Sequence, residues 1–596
     1  MKTAIVRKDS YYDSVFLMQI SAELQAQPGV DEAVVAMGTD VNRELIADMG
    51  LSDPEVAAAG PMDLVIALDA NAQADIESAV ERLDGLLKSK SAPAGTSDYR
   101  PGSFPAAHNY LPDANLAIVS LPGRFAAREA RRALDAGLHV MLFSDNVSLE
   151  DEVSLKKRAL EKGLLMMGPD CGTAIINGLP LCFANVVPRG PIGIVAASGT
   201  GLQEVSCAIA KGGSGVSQAL GTGGRDIKEE AVGGMMMISC IDALGADPDT
   251  KVIVIISKPP KESLMPRVIK AAKDTGKPVV IHFVGTSADN GPAAATGSRT
   301  ADNGGSPSAA SDSPSADGDA PDEGAANSGG VHFASNLTEA ARAAVSLAKG
   351  APVPEATDFD LPREEIDRIV ESEASGLAAH QKYLRGLFTG GTLTDEAVAV
   401  LHGPLGGVYS FDAKDPSFKP ADPQVSTGHT VVDLGEDVFT VGRPHPMIDP
   451  SIRVERIAKE ADDKEMAVLL LDCVIGYGSH HDPAGAMLES ITRAKKKAAE
   501  GGGYLPVIAS VTGTEGDPQG LAGQQAKLAG AGCVVMPTNY QAARLAALIM
   551  AKIAAGPGTT GSGTAGSTAM GSGTTDSGTE DAGAANSTTN DREGRS

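Results

Sequence analysis

The chain has 596 residues, 42% of them hydrophobic, which is enough for several domains with sizeable cores. Only 4% are aromatic and none is Trp, so those cores must draw on Val, Ile, Leu, Ala and Met. A formal net charge of −26 at pH 7 excludes nucleic acid or an anionic membrane as the main partner, because both attract a basic surface.

Residues 1–95 read as a small α/β unit. A strand opens at Ala4-Ile5-Val6, a helix spans about Ser14 to Ala26, and a second strand runs Ala33 to Ala36. The N-terminus lacks the apolar core of a signal peptide, and no run is long enough to span a bilayer, which predicts a cytoplasmic protein. Residues 90–112 carry Pro, Gly and Ser and read as a linker. From Ala114 strands and helices alternate: strand Asn115–Ser120, helix Arg124–Ala136, strand Val140–Phe143, helix Leu149–Lys162, strand Leu164–Met167. That alternation predicts doubly wound parallel sheets, whose ligands bind beyond the carboxyl ends of strands. The pattern continues through Val252–Ser257 and Pro278–Val284.

Residues 286–330 are Ala, Gly, Ser, Asp and Pro almost throughout, with seven acidic residues and one Arg, so they are expected to be a disordered insertion. A strand and helix resume over 331–350, and a second α/β block covers 380–555. The Gly-, Ser- and Thr-rich stretch 556–596 is expected to be a disordered tail. The six cysteines, Cys171, Cys182, Cys207, Cys240, Cys473 and Cys533, form no C-x-x-C pair and sit mostly in apolar contexts, as buried thiols do.

Chemistry concentrates in glycine-rich loops at strand ends. These are Gly168-Pro-Asp-Cys-Gly-Thr173, Ala197-Ser-Gly-Thr-Gly201 and Gly221-Thr-Gly-Gly-Arg-Asp226. Free N–H groups at a helix N-terminus attract anions, so Ser198, Gly199, Thr200 and Gly201 are candidate phosphate or carboxylate binders, with Gly223, Gly224 and Asp170 beside them. Thr200 and Gln203 also match a capping box, which would explain the same loop structurally. Arg225 either grips an oxyanion or pairs with Asp226 or Glu229. Cys171 has no nearby His to activate it, and His282 lies inside an apolar strand, as a core histidine would.

In the second block, Gly390 and Gly391 repeat the loop pattern. Arg443, His445 and Asp449 each precede a proline, so they are held stiffly. Arg443 is the candidate anion ligand, and His445 would hydrogen-bond or exchange a proton; the alternative is a rigid connector whose polar groups satisfy the loop backbone. Asp472 ends a strand; it either holds a metal, orients Arg443 or caps a loop. Thr512 to Asp517 follows another strand end. His480-His481 lacks a third ligand, and no metal centre is predicted.

Several strings together resemble the succinyl-CoA ligase superfamily, and most closely its FdrA branch. They are Phe143-Ser-Asp-Asn-Val, Gly168-Pro-Asp-Cys-Gly-Thr, Ile194-Val-Ala-Ala-Ser-Gly-Thr-Gly, Gly223-Gly-Arg-Asp and Ser257-Lys-Pro-Pro. In the second block they are Thr389-Gly-Gly-Thr-Leu, Gly442-Arg-Pro-His-Pro-Met-Ile-Asp-Pro, Asp472-Cys-Val-Ile-Gly and Val511-Thr-Gly-Thr-Glu-Gly-Asp-Pro-Gln. The resemblance implies a CoA-binding Rossmann-like domain (110–190) and two ligase-like flavodoxin-type domains, 191–285 with 331–350, and 380–555. It also implies a subunit of a multi-subunit enzyme, with a small anionic substrate, phosphate or carbamoyl phosphate, and CoA as a candidate cofactor. The branch is linked to oxamate carbamoyltransferase of allantoin breakdown. The alternatives are an acyl-CoA synthetase of succinate–CoA ligase type and a non-catalytic CoA- or metabolite-binding subunit. The superfamily's phosphate-carrying histidine would follow Val284, yet no His lies between His282 and His332. No Walker A or ATP-grasp sequence is present, so a nucleotide-driven reaction would need a partner for that part.

Overall fold

β-Branched apolar runs form buried strands over the residues that the computed structural model describes: 1–8, 10, 12, 14–25, 27–51, 53–89, 101–285, 330–440 and 443–555. The expected disorder of 286–330 and 556–596 lies outside these residues, Gly330 apart.

The N-terminal unit comprises β1 (Lys2–Arg7), α1 (Ser14–Gln25), β2 (Val30–Met37), α2 (Asp40–Asp48), α3 (Pro54–Ala57), β3 (Leu64–Ala70) and α4 (Gln73–Ser89). Its order is β1-β3-β2, with β3 antiparallel to both neighbours, a split βαβ rather than a doubly wound sheet. Leu17, Ile20 and Leu24 of α1 share one core with Leu83 of α4 and Ile66 and Leu68 of β3.

A short helix, α5 (Phe104–Tyr110), occupies part of the expected linker. Beyond it come β4 (Leu116–Val119), α6 (Gly123–Asp135), β5 (His139–Leu142), α7 (Leu149–Glu161) and β6 (Met166–Met167), whose strands are parallel. Ser148 caps α7 by accepting the Asp151 N–H at 3.1 Å, and Glu150, Asp151 and Glu152 crowd its positive end.

The third unit holds β7 (Thr173–Ile176), β8 (Leu179–Cys182), β9 (Arg189–Ala196), α8 (Gly199–Lys211), β10 (Val216–Gly221), α9 (Met235–Ala246), β11 (Val252–Ser257), α10 (Met265–Asp274), β12 (Val279–Phe283), β13 (Val331–Phe333) and α11 (Leu337–Ala348). Parallel strands run β13-β12-β11-β9-β10, the flavodoxin-like order. The hairpin β7–β8 adds antiparallel to β10, so residues expected in the 110–190 unit belong to this sheet.

After α12 (Arg363–Ser375) the fourth unit repeats the plan. It contains β14 (Tyr383–Phe388), α13 (Gly391–His402), β15 (Thr430–Asp433), α14 (Asp437–Thr440), α15 (Ser451–Glu460), β16 (Met466–Val474), α16 (Pro483–Glu500), β17 (Val507–Thr512), α17 (Leu521–Gly530), β18 (Val534–Met536) and α18 (Asn539–Ala555). Its five strands are parallel in the order β15-β14-β16-β17-β18, the same flavodoxin-like arrangement.

The two flavodoxin-like sheets share one core. It runs from Ile194 and Val254 through Ala341 and Ala344 of α11 to Leu384, Phe388 and Val468. Polar pairs fasten the same seam: Thr512 Oγ1 donates to Glu204 at 2.5 Å, and Asn185 Nδ2 donates to Asp517 at 2.8 Å. The Thr512–Asp517 loop therefore joins the two units. No helix among the described residues is long and apolar enough to cross a membrane.

Candidate functional site

Each flavodoxin-like sheet sends its first strand into a helix, β9 into α8 and β14 into α13, and the two helix N-termini face one another. Ser198 Oγ and Thr392 Oγ1 are hydrogen-bonded across the junction. The close approach needs glycine on both sides. A Cβ on Gly201 would stand 2.9 Å from Thr392 Cγ2, and one on Gly390 would stand 2.9 Å from Thr200 Cγ2. Ser198 caps α8 by accepting the Gly201 N–H at 3.0 Å, whereas no side chain caps α13. The uncapped N–H groups of α13 and the meeting of two positive helix ends make the junction attractive to an oxyanion.

A cleft of about 920 Å³ opens over this junction. Its wall includes Pro169 and Asp170, Gly223 to Arg225, and the β15–α14 turn around Gly435. Arg225, Lys228, Lys258 and Arg443 supply positive charge, while Asp145, Asp170, Asp433, Glu436 and Asp437 supply carboxyl groups.

The environment separates these groups. Burial lowers the His445 pKa to about 4, so the ring is neutral at physiological pH. Its Nδ1 accepts the Met447 N–H at 3.2 Å, which leaves the proton on Nε2 and makes that atom a donor. A Cβ on Gly435 would stand 2.4 Å from His445 Nε2 and 3.0 Å from Asp433 Oδ1, so both groups close over that glycine. Burial pushes Asp433 up to about 8, although its Oδ1 accepts the Gly435 N–H at 2.8 Å. Asp170 reaches solvent in the cleft, but the walls strip much of its water, and with Asp145 and Asp437 near it rises to about 6.

Asp433 yields a directional test. A carboxyl whose folded pKa exceeds its unfolded value of about 4 keeps its proton in the native state, so stability falls as pH rises from about 4 to about 8. Asp433→Asn removes that loss. It is expected to raise stability relative to the native chain at about pH 8.5 and to change it little at about pH 4, read by urea unfolding at both values. Equal shifts at the two pH values would mean that Asp433 ionises normally.

Of the residues named from sequence, Asp170, Ser198, Gly199, Thr200, Gly223, Gly224, Arg225, Gly391, Arg443 and His445 line the cleft. Gly201 and Gly390 lie behind it, at the contact between the helices. Asp449 turns away: its Oδ1 accepts the N–H of Ser451 at 3.0 Å at the start of α15. Asp472 is fully buried and receives the Thr389 N–H at 3.0 Å and the Arg453 guanidinium, so it orients Arg453 rather than Arg443. Gly442 lies outside the described residues. Thr200 does not cap α8; Ser198 does, because Gly199 already begins the helix, and Gln203 bonds Asn185 at 3.1 Å.

Arg225 pairs with neither Asp226 nor Glu229. Its Nε lies 2.9 Å from Glu152 and it donates to Val147 O at 2.8 Å, while Asp226 accepts the N–H groups of Met236 and Met237. Cys171 is buried and its thiol pKa is pushed up to about 12, which makes it a poor nucleophile. His282 is buried, and its Nδ1 pairs with Ala334 O at 2.9 Å.

Sequence reasoning missed Asp433, Lys228 and Lys258. Asp433 had a readable signal, an acidic residue closing a parallel strand. Lys258 sits inside the Ser257-Lys-Pro-Pro string. Lys228 carries no signal of its own.

Residues 387–549 match a family described as CoA-ligase, and residues 1–101 match the heavy metal-associated domain of AllF. The latter segment contains no Cys and no His, so it lacks the thiolate and imidazole ligands that soft metals prefer. Among the described residues no cluster of His, Cys, Asp and Glu could hold a metal ion. The chain is 29% identical over 187 residues to the ADP-forming sulfoacetate-CoA ligase subunit SauD of Bilophila wadsworthia, 30% of this chain and 62% of that one. It is 29% identical over 184 residues to the succinate–CoA ligase [ADP-forming] subunit alpha of Aquifex aeolicus, 30% of this chain and 59% of that one. It is 42% identical over 542 residues to the protein YahF of Escherichia coli (strain K12), 91% of this chain and 97% of YahF. With that span of identity, a CoA-ligase domain and paired flavodoxin-like sheets meeting at one cleft, the chain belongs to the family of YahF within the succinyl-CoA ligase superfamily.

Proposed function

We propose that the cleft transfers an acyl-type group between phosphate and a small anionic acceptor, as one subunit of a larger enzyme. The carbamoyl group of an oxamate carbamoyltransferase, an FdrA-type activity, is the leading case. The observation that carries this reading is the meeting of two helix N-termini, α8 and α13, at one cleft. Their amides suit a phosphate oxygen, and proximity supplies much of the rate.

In this reaction a phosphate oxygen attacks the ureido carbonyl of oxalurate, the carbonyl π pair moves to oxygen, and the tetrahedral centre collapses. The C–O bond to phosphate remains, the C–N bond breaks, and the oxamate nitrogen takes a proton. Neutral His445 donates its Nε2–H to the developing oxyanion. Asp433, protonated near neutral pH, is placed to supply the leaving nitrogen. The absence of a histidine between His282 and His332 favours direct transfer over a phosphoenzyme.

A second reading, an acyl-CoA synthetase with CoA in the β4–β6 unit, is supported by the CoA ligases among its relatives. Calorimetric titration separates the two. Carbamoyl phosphate binding without CoA binding is the expected result; tight CoA binding alone would overturn the carbamoyl reading in favour of the synthetase.

A further inference from the structure

Four cationic side chains line the cleft, and three have carboxylate partners. Arg225 lies 2.9 Å from Glu152, Lys258 lies 2.8 Å from Asp395 and 2.9 Å from Asp412, and Arg443 lies 2.8 Å from Glu455. Lys228, in the loop between β10 and α9, has no ion pair and no side-chain hydrogen bond among the described residues.

Its surroundings sharpen the contrast with Lys258. Asp395 and Asp412 hold the Lys258 pKa above its ordinary range despite burial. Lys228 is exposed in the cleft and faces Lys258, Asp412, Asp395 and Glu436 at longer range; partial loss of hydration against the cleft wall, then repulsion from Lys258, hold its pKa below the ordinary lysine value. An ammonium that opens onto the cleft and lacks a counter-ion of its own is free to pair with an anion arriving from outside the chain.

We propose that Lys228 is the cleft residue that binds the oxyanion of the incoming small substrate, through a carboxylate or phosphate oxygen. The three paired cations then shape the cleft, and Lys228 selects for negative charge. This assignment rests on the reading of the cleft as a group-transfer site for small anions.

The test is calorimetric titration of the full chain with inorganic phosphate and, separately, with oxamate, at low and high salt. Lys228→Gln is expected to weaken the affected anion by about 10- to 100-fold, the range for a hydrogen bond to a charged group, and to flatten its salt dependence. Lys228→Arg is expected to restore most of the affinity, which separates lost charge from lost structure. A loss confined to phosphate, or to oxamate, identifies which oxyanion Lys228 holds. If the native chain binds neither anion, the transfer-site reading falls and Lys228 with it. If the native chain binds and Lys228→Gln binds equally well, the Lys228 assignment alone falls.

Discussion

Lys156→Ala is expected to cost about 3–5 kcal/mol of stability, the range for removing one member of a buried ion network. Lys156 is fully buried, and its Nζ donates to Glu152 Oε1 and Asp226 Oδ1, each at 2.8 Å, and to Thr222 O at 3.0 Å. Removing it leaves Asp226 buried without its cation and Glu152 with Arg225 alone. The triad also ties α7 to the loop after β10, where Glu152 meets Arg225 and Asp226 anchors the start of α9. The same variant should therefore lose anion binding in the cleft. Urea unfolding measures the first effect and phosphate titration the second. A stability loss below about 1 kcal/mol would show that the triad does not fasten these two units.

His445→Ala is expected to lower turnover by about 100- to 1000-fold while leaving phosphate affinity within a few-fold, as loss of one oxyanion donor does. The assay is phosphate release from carbamoyl phosphate in the presence of oxamate. Because burial holds the His445 pKa at about 4, its ring stays neutral across the physiological range, and its titration should leave no inflection in the rate between about pH 5.5 and 8. An inflection lost in His445→Ala would show a ring that takes up a proton, and would replace the donor role by acid–base exchange. Gly435→Ala tests the same atom through its neighbour. Its Cβ would stand 2.4 Å from His445 Nε2, so it should displace the ring and slow turnover by about 10- to 100-fold.

Both flavodoxin-like sheets were legible in the chain because parallel strands buried on two faces become continuous apolar runs. Val252–Ser257 and Met466–Leu471 are such runs, and every residue of each is buried; β16 continues past Asp472 to Val474. Glycine loops at strand ends were legible for a related reason: tight βα turns demand specific residues. The N-terminal sheet was less so. Strands of either sense show similar local patterns, and the antiparallel insertion of β3 between β1 and β2 depends on pairing across the unit. Residues 173–182 fall in the expected 110–190 domain with no hairpin predicted there, because the pairing of β7 to β10 joins segments about forty residues apart.

Sequence alone determined the composition of the cores, the doubly wound plan of the two ligase-like units and the candidacy of the Ser198–Gly201 and Gly390–Gly391 loops, because these follow from periodicity and from turn chemistry within a few residues. Tertiary structure decided which polar groups serve the cleft. Asp449 shares the string of His445 and Asp472 sits in one as suggestive, yet Asp449 starts α15 and Asp472 orients Arg453. Asp433 enters the cleft from the end of β15 and Lys228 from the loop after β10, on different sheets. The physical reason is that partnership is a matter of distance in space. Asp472 meets Thr389 across 83 positions and Ser198 meets Thr392 across 194, and spacing along a chain carries no record of such encounters.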